Sequence, residues 1–471
     1  MNKEYKSINK IGLITIVGML CVELVNFLLI PILTRTLGTS GYGVISLYST
    51  WVSIIVAVAG LQTTQSIVYI VNDEKKDVQN GKIASMLACS LVSFFILLVL
   101  SMLFFLFTGR LFSTELKVLT AIAILHACGQ YIVSFGTTLY TQKQQPMLQA
   151  LISIIIAVST SVLSIILILI IKDADEKYYG RVFGFAVSYI VMGIVLSGII
   201  VFPYIKEIRR SVVRQYIPLC IPIIFHSLSN VIYGQSDRLM LNAFLNDKSE
   251  VGIYSFSYSI ATLICVLWTA LNTFFQPFLF RYLKNLDYEE LRKRRKNILS
   301  LFFMCYLIFI MMIPEAAEIY GGKEFLNGIT YIPVLSFAFF VNFLYVFDVN
   351  YESYLKRPKI IAMGTMLAAV LNIVLNWMLI PVMQTAGAVL ATVISYIALF
   401  VFHHFNALRL AKSAGEIYPY NRKETYFYFV IGGVAMIIMY ALMDMAMIRW
   451  IVGIIAMLLL LYMVLKRRSL F

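Results

Sequence analysis

Long apolar stretches separated by short polar segments cover almost the whole chain. Most are about 20 residues long, the length that an α-helix needs to cross a hydrocarbon core of about 30 Å. The pattern predicts about fourteen membrane-spanning helices, over residues 11–34, 44–71, 83–107, 117–140, 147–171, 182–205, 215–244, 252–280, 298–320, 329–350, 360–382, 386–408, 425–444 and 448–465. The expected fold class is an all-α integral membrane protein.

Composition supports this interpretation. Of the 471 residues, 61% are hydrophobic and 13% are charged, a balance that no soluble domain of this length tolerates. The formal net charge of +14 does not indicate nucleic acid binding, because the basic residues lie in loops between apolar runs. They concentrate in alternate loops, which by the positive-inside rule predicts a multi-pass protein with both termini in the cytoplasm.

Several classes of chemistry have no support in the sequence. The six cysteines fall in apolar runs and the histidines have no metal-binding spacing, so neither is assigned a site. Asp348 and Glu352 are expected to form local salt bridges with the basic residues that follow them. There is no nucleotide-binding loop and no catalytic constellation. The protein is therefore expected to be neither an enzyme nor a cofactor-binding protein.

An internal repeat divides the chain. Three pairs of similar segments recur at nearly the same separation, namely 43–46 with 252–255, 140–146 with 354–358, and 180–190 with 387–397. A repeat of six helices gives both copies the same orientation, related by a pseudo-twofold axis along the membrane normal. We therefore expect a first lobe over 1–210, a second lobe over 211–412, and two added C-terminal helices over 413–471.

Two motifs carry a family resemblance. One is Asp237-Arg238 followed by Gly-Ile-Tyr-Ser at 252–255, and the other is Thr-Arg-Thr-Leu-Gly at 34–38 followed by Gly-Tyr-Gly at 41–43. Together they resemble the bacterial polysaccharide flippases of the Wzx type. These belong to the MOP superfamily, which also contains the MATE multidrug antiporters and the lipid II flippase.

The resemblance implies a function and a location. Such a protein translocates undecaprenyl-diphosphate-linked oligosaccharide repeat units across the bacterial cytoplasmic (inner) membrane by alternating access, for O-antigen or capsule biosynthesis. Its partners would be the lipid-linked oligosaccharide, membrane lipids, a polysaccharide polymerase and a chain-length regulator. Two alternatives remain open: a MATE-type cation antiporter, and a membrane glycan polymerase, against which the short external loops argue.

An anionic diphosphate needs cations, and arginine can bind it through two parallel hydrogen bonds. Arg35 and Arg238 stand at equivalent places in the two repeats, although either could instead extend to the membrane interface. Polar side chains in matching helices could bind sugar hydroxyls or could join neighbouring helices. The predicted substrate-binding residues are Arg35, Arg238, Gln62, Gln65, Asn272 and Gln276.

A set of polar residues at similar helix depth suggests ion coupling. Asp237, Asn372, Asn376 and Thr392 could hold Na⁺ with oxygen ligands, or Asp237 could carry a proton. The lipid II flippase branch looks similar, but Asn376 stands where that resemblance favours a second acid. The two asparagines could equally bond neighbouring helices. Glu23, near the middle of the first helix, is a further candidate for proton coupling or a structural acid.

Overall fold

The fold is built from α-helices, as a computed structural model of the chain shows. It describes residues 2–108, 113–413, 415 and 417–466, with side chains except at 2–17, 274, 277 and 466. Short 3₁₀ segments lie at Ala174–Glu176, Phe202–Glu207 and Lys323–Gly328. Within this part of the chain the helices are α1 (Asn2–Ala59), α2 (Thr64–Asp73), α3 (Lys76–Thr108), α4 (Thr114–Gln142), α5 (Pro146–Ile170), α6 (Tyr178–Ile200), α7 (Arg210–Leu245), α8 (Lys248–Ala261), α9 (Leu263–Lys284), α10 (Tyr288–Met311), α11 (Ile313–Gly321), α12 (Tyr331–Tyr354), α13 (Pro358–Ser413), α14 (Arg422–Ala441) and α15 (Ala446–Lys466).

Two helices are too long to cross a membrane once. Helices α1 and α13 have 58 and 56 residues, so the two segments of each together measure about 85 Å along their axes, nearly three times the hydrocarbon thickness. Each is interrupted by a residue with a non-helical backbone, Gly38 in α1 (φ 63°) and Gln384 in α13 (φ 52°). Each therefore corresponds to two of the apolar runs in the sequence.

The number of membrane crossings agrees with the hydropathy pattern. In the described residues, 11 helices are long and apolar enough to span, and α10 with α11, bent by 56°, is a further candidate. When α10 with α11 is counted as one crossing and α1 and α13 as two each, the total for the described residues is the fourteen expected. The chain is a multi-pass, all-α membrane protein, which confirms the predicted fold class.

The chain forms two compact units, residues 1–236 and 237–471. The boundary lies inside α7, between Ser236 and Asp237, whereas the sequence repeat suggested a boundary at 210. The core of the first unit contains Tyr131, Phe135 and Ile70. In the second unit α12 is buried along most of its length, within a cluster of aromatic rings.

The repeated sequence segments form matching local structures. Gln144 and Lys356 both adopt positive φ (56° and 55°) and lie two residues before Pro146 and Pro358. The same pattern of three backbone hydrogen bonds closes the helix end in each copy. The turns between α4 and α5 and between α12 and α13 are thus equivalent.

Two further glycines in the repeat allow consecutive helical segments to approach closely. A Cβ atom on Gly180 of α6 would lie 2.6 Å from the backbone nitrogen of Ile168, at the end of α5. A Cβ atom on Gly387 would lie 2.4 Å from the carbonyl oxygen of Leu379, on the other side of the break at Gln384. Gly387 therefore permits the tight bend of α13.

Gly387→Ala is expected to destabilise the fold. The added methyl would overlap backbone rather than a movable side chain, and overpacking of this kind costs about 1–3 kcal/mol. The thermal unfolding midpoint of the purified protein should fall. Gly198→Ala is the matched control, because nothing lies within 4 Å of the corresponding position. Equal midpoints for the two variants would show that the approach at Gly387 is not important for stability.

Candidate functional site

Asp237 is the centre of a buried polar cluster in the second unit. Its side chain is 0% exposed, although it belongs to a membrane-spanning helix. One carboxylate oxygen accepts a hydrogen bond from Asn376 Nδ2 at 2.5 Å. The other accepts hydrogen bonds from the hydroxyl groups of Thr392, at 2.9 Å, and Tyr254. Donors from α8 and α13 thus surround a carboxylate on α7.

The bend in α13 brings residues from both of its segments to Asp237. Asn376 precedes the break at Gln384, and Thr392 follows it. Next to the break, the Thr385 hydroxyl donates to the Glu250 carboxylate on α8. The bend therefore positions two donors that are about four helical turns apart in sequence around one acid.

Asn372 extends the cluster by one helical turn. Its Oδ1 accepts a second hydrogen bond from Asn376 Nδ2 at 3.1 Å, as the spacing of four residues on one helix face allows. Asn372, Asn376 and Thr392 are between 0% and 2% exposed. The structure thus brings together the four residues that sequence depth suggested, while their role remains a prediction.

The cluster is rich in oxygen. The Asn376 Oδ1 atom is buried and has no hydrogen-bond partner among the described residues. A half-turn of this amide would direct the oxygen towards the Asp237 carboxylate. Carboxylate, amide and hydroxyl oxygens are the ligands that small hard cations prefer. The arrangement is chemically suited to binding either such a cation or a proton on Asp237.

Arg238 is held next to this cluster rather than extended to the protein surface. Its side chain is 9% exposed, and its Nε donates to Ser255 Oγ at 3.2 Å. The guanidinium carbon lies 4.7 Å from the ring centre of Tyr258 and 6.0 Å from that of Tyr254. Contacts of cations with ring faces are attractive, so α8 fixes the position of Arg238.

Tyr254 on α8 also belongs to this cluster. Its hydroxyl donates to Asp237 and lies 3.2 Å from Thr392 Oγ1. The Gly-Ile-Tyr-Ser motif at 252–255 is the sequence feature that could have indicated a role for Tyr254 in this cluster, because it places Tyr254 next to Ser255 on α8.

The predicted substrate-binding and ion-coupling residues of the first unit do not share a common site in the described structure. Glu23 and Arg35 are exposed on α1. Gln62 and Gln65 are half-buried near the break between α1 and α2, where Gln62 has a positive φ of 50°. The Gln62 Nε2 donates to Ser227 Oγ at 2.9 Å, so this side chain links the turn between α1 and α2 to α7.

Asn272 and Gln276 on α9 bond a common neighbour. Asn350 of α12 donates to Asn272 Oδ1 at 2.7 Å and accepts from Gln276 Nε2 at 3.4 Å. Asn350 is 4% exposed and was not singled out in the sequence. In this structure the two predicted sugar ligands join α9 to α12.

The expectation of local salt bridges at Asp348 and Glu352 is wrong. His403 Nδ1 lies 2.8 Å from a Glu352 oxygen, and His404 Nδ1 lies 3.1 Å from an Asp348 oxygen. All four side chains are at most 2% exposed. Adjacent residues on a helix point about 100° apart, so the two histidines reach different acids. In the sequence, the spacing of the two acids, one turn apart on α12, indicated that they share a helix face but did not indicate their partners.

Comparison with known proteins identifies similar chains. The profile of the family described as "Polysaccharide biosynthesis protein" matches residues 9–283. A protein of Haemophilus influenzae called "Lsg locus putative protein 1" is 22% identical over 386 residues, covering 77% of this chain and 89% of that protein.

Solved structures share the fold. The lipid II flippase MurJ in an inward closed conformation gives a TM-score of 0.61 at 13% identity, covering 97% of this chain and 99% of that chain. An inward-facing multidrug resistance MATE transporter of the MOP superfamily gives 0.60 at 14% identity, covering 85% and 99%. The chain thus has the fold of MOP superfamily transporters.

Proposed function

We propose, because the chain belongs to the polysaccharide biosynthesis protein family, that it is a flippase for lipid-linked oligosaccharides. It moves undecaprenyl-diphosphate-linked repeat units across the bacterial cytoplasmic membrane by alternating access, for an O-antigen, a capsule or a similar polysaccharide. The substrate assignment extends the sequence resemblance to Wzx-type flippases. A fold similar to that of MurJ, which is named as a lipid II flippase, supports the transport class.

The observation that carries the proposal is the buried cluster around Asp237. A charged group deep in a membrane-spanning segment is costly, by about 2.5–3.5 kcal/mol on insertion scales, and marks a functional site by default. Here the carboxylate is completely buried and is held by donors from two other helices. A site that joins α7, α8 and α13 through one titratable group is suited to coupling ion occupancy to helix movement.

The coupling ion would bind at Asp237. Na⁺ would use the oxygens of Asp237, Asn372, Asn376 and Thr392, whereas a proton would reside on Asp237 alone. Asn376 supplies an amide where the lipid II flippase branch favours a second acid, so the site offers one negative charge to a cation. Glu23 is a second candidate for a proton carrier.

The diphosphate would bind to arginine. We assign this role to Arg238, with Arg35 as its counterpart in the first repeat, because the guanidinium group can hold a phosphate by parallel hydrogen bonds. Arg238 is already oriented by Ser255 and Tyr258. Gln62, Gln65, Asn272 and Gln276 are proposed sugar ligands. Of these, Gln62, Asn272 and Gln276 would exchange their present side-chain hydrogen bonds for hydroxyl groups of the oligosaccharide.

Deletion of the gene tests the function. A strain without it should lose surface polysaccharide and accumulate the lipid-linked repeat unit in the inner leaflet, where external glycan-modifying reagents cannot reach it. Repeat units that accumulate in the outer leaflet would instead indicate a polymerase. Unchanged polysaccharide together with increased sensitivity to cationic drugs would indicate a MATE-type antiporter. Restoration of export by the intact gene is the control.

A further inference from the structure

A basic cavity lies at the end of three membrane-spanning helices of the second unit. Its volume is about 660 Å³, within the range of small-molecule sites. The described residues that line it come from the last two turns of α13, the first turn of α14, an early turn of α10, and positions 417, 418, 420 and 421 between α13 and α14. Since α13 and α14 are consecutive spans, the segment between them lies at one membrane face.

The lining of this cavity is strongly cationic. Among the lining residues that the structure describes, four are basic and none is acidic: Arg292, Lys412, Arg422 and Lys423. Lys412, Arg422 and Lys423 are exposed, and Arg292 is half-buried. Four cations around one volume repel each other in the absence of a negative partner.

The wall of the cavity is fixed by hydrogen bonds. Arg292 Nε donates to the carbonyl of Pro419 at 3.0 Å, and its Nη2 donates to that of Tyr418 at 3.3 Å. The Tyr418 hydroxyl donates to Asp348, and the Tyr420 hydroxyl donates to the Phe347 carbonyl at 3.0 Å. The part of the wall formed by residues 418–420 is therefore anchored to α10 and α12.

The two tyrosines add no negative charge to the cavity. Burial, followed by the Asp348 carboxylate, raises the pKa of Tyr418 well above its usual value, and burial also raises the pKa of Tyr420. Both phenols stay protonated over the physiological range of pH. Among the described lining residues, the charge therefore comes from the four basic side chains.

We propose that this cavity binds the phosphate-bearing headgroup of an anionic lipid. Basic pockets and clusters next to membrane spans bind anionic headgroups, and arginine binds phosphate through paired N–H groups. The position at the ends of α10, α13 and α14 places a bound phosphate at headgroup level, with the acyl chains free to follow the apolar helices. The site is separate from Asp237, and its occupancy does not depend on the transported substrate.

Lipid titration of the purified, delipidated full-length protein tests the site. Adducts with phosphatidylglycerol and with zwitterionic phosphatidylcholine are quantified by native mass spectrometry, with added inorganic diphosphate as a competitor. We expect tighter binding of phosphatidylglycerol and its displacement by diphosphate. The double variant Arg422→Gln with Lys423→Gln should bind phosphatidylglycerol more weakly by on the order of tenfold or more.

A matched control separates this cavity from general surface charge. Lys293 and Lys296 are exposed on α10 and do not line the cavity, so K293Q with K296Q removes the same charge without changing the lining. This variant should retain wild-type affinity for phosphatidylglycerol. Any of four results would overturn the proposal. These are equal affinity for both lipids, no displacement of the lipid by diphosphate, no effect of the double variant on lipid affinity, or an equal loss of lipid affinity in the control variant. Binding of diphosphate alone with the affinity of the lipid would assign the cavity to soluble phosphates instead.

Discussion

Asp237→Asn is expected to reduce polysaccharide export to the level of the deletion strain while the protein remains folded in the membrane. The substitution keeps the size of the side chain and removes its charge. Tyr254 and Thr392 could still donate to the new amide oxygen. The unpartnered Asn376 oxygen could accept from the new amide nitrogen after a half-turn of the Asn376 side chain.

Because the packing can be kept, this variant tests the charge itself. Without a carboxylate the cluster can neither attract Na⁺ nor carry a proton at residue 237. In membrane vesicles, any stimulation of wild-type transport by a Na⁺ gradient or by a proton gradient should be lost in the variant, and the gradient that stimulates the wild type identifies the ion.

The control for this experiment is Asp247→Asn. Asp247 caps α8 by accepting a hydrogen bond from the backbone of Ser249 at 2.8 Å, and asparagine is an equally good N-cap residue. The same chemical change outside the cluster should therefore leave export intact. Normal export by the Asp237 variant would remove ion coupling at this residue from the mechanism.

Arg238→Ala is expected to abolish export with little change in the amount of membrane protein. The change removes the cation next to Asp237 and a ring contact worth about 0.5–2 kcal/mol, which a folded membrane protein should tolerate. Arg238→Lys should restore export only in part, because an ammonium group lacks the planar pair of donors for a phosphate. Complementation of the deletion strain, with immunoblots of membranes, measures both effects.

Arg281→Ala controls for the loss of a stacked arginine. The Arg281 guanidinium lies 5.4 Å from the ring centre of Tyr282 and 5.3 Å from that of Phe278, but the side chain is exposed on α9. Its loss should leave export close to the wild-type level. If both arginine variants display normal glycan, Arg238 has no role in recognising the substrate.

The sequence predicts the helices well because the membrane imposes a simple requirement. Each crossing needs about 20 apolar residues with internally satisfied backbone groups, so hydropathy alone locates the spans. The family resemblance drawn from the motifs at Asp237 and Gly38 is also confirmed. The tight turns at Gly38 and Gln384 were not predictable, because hydropathy separates two spans without showing the backbone geometry of the residues that join them.

The contents of the polar clusters were predicted only in part. Counting residues from a helix end gives depth, and depth was sufficient to group Asp237 with Asn376 and Thr392. The direction in which a side chain points depends on the rotation and tilt of the whole helix, which packing determines. For this reason the hydrogen bond from Tyr254 and the pairing of His403 with Glu352 could not be derived from spacing.

The turn at Gln384 links the relative position of two membrane spans to the charge state of one side chain. Asn376 and Thr392 reach the Asp237 carboxylate from opposite sides of Gln384, so a movement that separates the two spans of α13 must withdraw at least one of them. An ion that holds both residues would therefore resist this separation, and the separated spans would bind that ion poorly. By thermodynamic reciprocity, the ion concentration on either side of the membrane would then bias how often the two spans move apart.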